Sequence, residues 1–138
     1  MQYAIVLAIC LHVLSAIFWA GSTMYVSASG NSPGMPLFLR QMLAAAIAVL
    51  SGTFLWHTVH GAVFQATERV LAVGGVCALL ALVIQAGIAG PAIRKMGKAA
   101  EVEKLQARTL ASFRFASLLL VVTAFAMAAS KYAGVFVS

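Results

Sequence analysis

Apolar residues fall into four long runs along the chain, at about residues 3–28, 38–64, 70–93 and 110–136. Each is long enough to cross a hydrocarbon core, which takes roughly 20 residues. Backbone groups in lipid must bond within their own segment, so the runs predict helices; the two-residue alternation of a barrel strand is absent. Turn chemistry separates them. Ser29-Gly30-Asn31-Ser32-Pro33-Gly34 closes the first run, with Pro36 just beyond. Thr67-Glu68 leaves only a tight hairpin turn between the second and third, and Gly90-Pro91 comes near the end of the third. Arg94 to Arg108 is the longest polar stretch, and its Glu101, Glu103 and Lys104 suit a short surface helix. The pattern predicts one all-α domain over residues 1–138, an integral membrane four-helix bundle running up-down-up-down.

Composition narrows the class. Of 138 residues, 63% are hydrophobic and only 9% are charged, against about a quarter charged in a soluble domain. A soluble enzyme, a disordered tail, a disulfide-rich secreted scaffold and a large extramembrane domain are all excluded. The net charge of +6 is a topology signal rather than a sign of nucleic-acid binding. Arg40, Arg94, Lys95, Lys98, Lys104, Arg108 and Arg114 belong to the side of the first and third connections, while Arg69 and Lys131 belong to the other. The positive-inside rule then places the basic third connection in the cytoplasm and both termini on the outer, periplasmic side of a bacterial-type inner membrane. Residues 1–28 lack a positive n-region, so they are expected to stay as a helix rather than leave as a signal peptide. Cys10 and Cys77 form no C-x-x-C pair and suit apolar filling.

Ionisable residues inside a membrane point to function, because lipid makes them costly. Here they are His12, His57 and His60, all in the outer half. Counted from the helix ends, His12 and His57 agree in depth to about 3 Å, and His60 lies roughly 4.5 Å nearer the surface. On the first helix, His12, Ser15, Ala16, Trp19 and Thr23 share a stripe; on the second, Ala46, Thr53, His57, His60, Gly61 and Phe64 share another. Stripes of small, polar and aromatic residues are expected to face the bundle interior.

Two imidazoles on neighbouring helices suit the axial positions of a non-covalent haem b. His12 and His57 are the expected iron ligands, with His60 the alternative on the second helix. His60 also suits a bond to a propionate or a quinol hydroxyl. Arg69 and Lys131 are the cations on the propionate side, and Trp19 could pack on a porphyrin edge or simply in the core. A hydrogen-bonding helix clamp is the plain structural alternative for such histidines. Copper is the other metal that imidazole suits, but the six Met residues are scattered and the three carboxylates, Glu68, Glu101 and Glu103, lie in connections.

Leu11-His12, Trp19 seven residues on, then Gly21 and Tyr25, resemble the first helix of two related groups: the CopD-like copper-resistance membrane domain and the HemJ-type protoporphyrinogen oxidase. Arg40 with Ser51-Gly52, and Ser130-Lys131-Tyr132, also resemble the CopD-like pattern. The HemJ-type resemblance implies haem b on His12 and oxidation of protoporphyrinogen; that pattern also has Lys and His in its third helix, where this chain has Cys77 and Gln85. The CopD-like resemblance implies copper uptake or tolerance. The leading expectation is a small membrane cytochrome b. It would pass electrons between the quinone pool and an outer-side partner or substrate, and whether it is an enzyme by itself stays open. A non-catalytic subunit of a membrane complex is a further alternative, and a dimer is compatible with the chain's size.

Overall fold

The computed structural model describes residues 2–59, 65–97 and 101–132. Four helices carry them: α1 Gln2–Ser29, α2 Met35–Val59, α3 Ala66–Met96 and α4 Val102–Ser130. There is no strand among the described residues. All four helices are long and apolar enough to cross a membrane. Leu14, Ile17, Leu50, Val83, Phe115 and Phe125 stand exposed on their outer faces, which is where lipid, rather than water, makes large apolar side chains favourable.

Local chemistry explains the ends. α1 stops where Gly30 takes φ 71°, the left-handed residue that commonly closes a helix. Pro36 sits in the first turn of α2, where its missing N–H costs nothing. α3 begins earlier than apolarity suggests. The Gln65 backbone N–H donates to Glu68 Oε2 at 2.9 Å, so Thr67 and Glu68 form a capped first turn rather than the linker. α4 likewise begins at Val102. Glu103 and Lys104 are its first turn, not a separate surface helix, because no Gly or Pro interrupts the chain before the apolar run. Hydropathy marks the part of a helix that suits lipid, and the helix itself continues past it.

Within α3 the helix widens into a π turn over Gln85–Ala89 before resuming as Gly90–Met96. Pro91 supplies a cause. A proline inside a helix lacks an N–H and clashes with the carbonyl four residues back, and a widened turn before it lets the helix continue.

α1 packs against α2, α3 against α4, and α1 also meets α4, whereas α2 and α3 touch little. The tight second hairpin expected from its short linker is therefore not a packed pair. Close approach runs through glycine. A Cβ on Gly74 would stand 3.1 Å from Ala126 Cβ, and the Gly74 carbonyl accepts a hydrogen bond from Thr123 Oγ1 at 3.0 Å. Two apolar clusters form the core. One joins Trp19, Ala44, Ala45, Ala48, Ala81, Ala116 and Leu120; the other joins Val26, Phe38, Ala89, Ile93 and Phe113. The first lies near the middle of the helices and the second toward the α1–α2 turn. Among the described residues, burial on α2 ends at Ser51, and on α1 only Ala8 is buried before Ser15.

Candidate functional site

His12 projects from α1 onto α2, where Gly52 offers no side chain. A Cβ built there would meet His12 Cε1 at 2.9 Å, so the imidazole lies against bare backbone. His12 Nδ1 is 2.8 Å from the Ala48 carbonyl oxygen and 3.3 Å from Ser51 Oγ. A carbonyl only accepts, so Nδ1 carries the proton. Ser51 is oriented in turn: its hydroxyl donates to the Ile47 carbonyl at 2.6 Å, leaving its lone pairs toward the imidazole. The ring is thus fixed on one side, and in the neutral ring Nε2 is the lone pair. Among the described residues, no hydrogen bond is made to Nε2. A backbone carbonyl on one nitrogen and an open lone pair on the other is the arrangement that orients metal-ligating histidines.

The other expected site residues are placed differently. His57 is exposed. It lies five residues beyond Gly52, which is about 140° around the helix and about 7.5 Å along it. It therefore turns away from His12, and the depth match counted from helix ends does not hold, because Gly52 rather than His57 lies against His12. Thr53 and Ala46, from the same expected stripe, are exposed too. The face of α2 that packs inward is Phe38, Gln41, Ala44, Ala45, Ala48 and Ser51. Small side chains select that face, since they let α1 approach; the histidine spacing picked out the opposite one. His60 lies outside the described residues. Arg69, in the first turn of α3, and Lys131, just past α4, are both exposed.

The α1 stripe is inward as expected: Ser15, Trp19 and Thr23 are buried and His12 and Ala16 are half-buried. Trp19 has a firm partner. Its indole N–H donates to Gln85 Oε1 at 2.6 Å, and Gln85 Nε2 donates to Thr23 Oγ1 at 2.9 Å. This link ties α1 to the start of the π turn. Gln41 is a second buried amide, one residue from the exposed Arg40. Its position was legible in the helical spacing Phe38, Gln41, Ala45, Ala48.

Among the described residues, no group of three or more His, Cys, Asp or Glu side chains gathers to hold a metal ion. Among those residues, His12 is an imidazole held in a fixed orientation. No family model, curated protein or solved structure matches the chain.

Proposed function

We propose that the chain is a small membrane haem protein that holds one haem b through His12 Nε2 and moves electrons between the quinone pool and an outer-side partner. The observation that carries this is the Nδ1–H to Ala48 carbonyl bond, which fixes the ring and leaves Nε2 as the lone pair. A porphyrin supplies four of its iron's donors itself, so one oriented imidazole suffices to anchor it. A bare copper ion would draw its whole donor set from side chains, and the described residues bring one imidazole to this point. Bound haem would supply one-electron chemistry. The protein's own part is to orient the His12 ring through the Ala48 carbonyl and Ser51 and to present Nε2 to the iron.

In this proposal the helices run up-down-up-down in a bacterial-type inner membrane. Both termini lie outside, and the cytoplasmic side carries Arg40, Arg94, Lys95, Lys98, Lys104, Arg108 and Arg114. His12 then sits in the outer half, and burial on α1 and α2 thins out from its level toward that surface. Arg69 and Lys131 are the outer-side cations available to propionates.

The test is spectroscopic. The purified protein, titrated with haem, is expected to show a Soret band, with α and β bands on reduction. His12→Ala should abolish them, and His57→Ala should keep an axial-ligand spectrum, because His57 faces away. Protein that stays colourless in excess haem would reduce His12 to the clamp between α1 and α2 and overturn the proposal.

A further inference from the structure

We infer that the half of the bundle near the α1–α2 turn contains a neutral polar layer with a resident water site at Gln41. The layer is defined by position. On α1, Thr23 falls between Trp19 of one apolar cluster and Val26 of the other; on α3, Gln85 falls between Ala81 and Ala89; on α2, Gln41 falls between Phe38 and Ala45. Three helices each place one polar side chain between the same two clusters, and all three side chains are 0% exposed.

The register of α1 on α2 puts Gln41 level with Thr23. His12 rests on Gly52, and Val26 shares a cluster with Phe38, so the chain ascends α2 as it descends α1. Eleven residues on from His12 is Thr23, and eleven back from Gly52 is Gln41.

Thr23 and Gln85 are bonded to each other, and Gln85 also to Trp19. Gln41 is not so provided for: its Nε2 and Oε1 are both buried without a hydrogen-bond partner. A buried amide offers two donors and an acceptor, and such groups are almost always paired with protein or ordered water. The three side chains that define the layer, Thr23, Gln41 and Gln85, are all uncharged, so a neutral occupant suits it. Gln41 can donate to it and accept from it, and the Thr23 hydroxyl stands at the same level. Water meets these terms, because it needs two to four polar partners and little room.

The experiment is water–amide NOE spectroscopy on the uniformly 15N-labelled full chain in micelles, read at the assigned Gln41 Nε2 protons. A direct water cross-peak that persists when bulk exchange is filtered out is expected. Its absence overturns the inference. Thermal unfolding of Gln41→Met supplies a second readout. Removing a water-bonded amide should lower the melting temperature, because the water loses partners. Removing an unpaired amide would instead leave the melting temperature unchanged or raise it, and would overturn the inference. If the variant does not fold, the wild-type cross-peak decides alone.

Discussion

A methyl group at position 52 would sit 2.9 Å from His12 Cε1 and 3.2 Å from Nδ1, with the Ala48 carbonyl bond at stake. Gly52→Ala should therefore push the ring off its acceptor while leaving the histidine in place. On the proposed function, haem affinity is expected to fall about tenfold, roughly 1.4 kcal/mol, measured by titration of the Soret band against wild type. Unchanged affinity would mean that ring orientation does not matter for binding. Trp19 and Gln85 form the other pair whose removal is informative. Interhelical hydrogen bonds in membrane proteins contribute on the order of 0.6–1.7 kcal/mol. A double-mutant cycle with Trp19→Phe and Gln85→Met, followed by unfolding in mixed micelles, should return a coupling energy of about 1 kcal/mol. Additive effects would show that the 2.6 Å contact adds nothing to stability. His12 was visible in the sequence as a rare ionisable residue in lipid-compatible surroundings. Its acceptor was not, since a backbone carbonyl on another helix leaves no trace in residue types.

At the level of elements, α3 and α4 are joined where a small residue lets two backbones approach. Gly74→Val places a branched side chain against Ala126 and the Thr123 carbonyl. Overpacking of that kind costs about 1–3 kcal/mol, so the unfolding midpoint should drop clearly. Gly75→Ala is the matched control, because nothing lies within 4 Å of its Cβ position. It should be neutral or slightly stabilising, as alanine is the better helix former by up to about 1 kcal/mol. If both variants behaved alike, helix propensity rather than packing would be in control. The four helices were legible from apolar runs, because lipid forces hydrogen bonding within each segment. Two kinds of detail were not. Helix starts at Ala66 and Val102 lie in polar sequence, where capping and the lack of breakers decide. The inward face of α2 follows Ala44, Ala45, Ala48 and Ser51, so close packing of small side chains, not histidine spacing, sets that face.

Across the whole molecule, the proposed orientation rests on seven cations against two. Reporter fusions test it directly. Alkaline phosphatase should be active when fused after Tyr132 and inactive within residues 98–100, and a cytoplasmic fluorescent reporter should show the reverse. Equal signals at both points would remove the topology and with it the outer-side placement of His12. The bundle is also uneven along its length, with one apolar cluster near the middle, the other toward the α1–α2 turn, and α2 unburied beyond Ser51 among the described residues. Amide exchange should follow that gradient: slow at Ala45 and Phe113, faster at Leu7 and Thr58.

The polar layer has one more effect, on the choice of alignment between helices. Faces built from alanine and glycine are nearly featureless, and a helix could slide along them by one turn, about 5.4 Å, with little change in contact. Such a slip of α3 along α4 would carry Gln85 away from both Trp19 and Thr23 on α1 and leave three polar groups without their partners. Each stranded group costs about 1–3 kcal/mol, whereas the slip would leave apolar contact much as before. The amide layer therefore acts as a registration mark: it contributes modestly to how tightly the bundle holds together, and much more to which of several similar bundles forms.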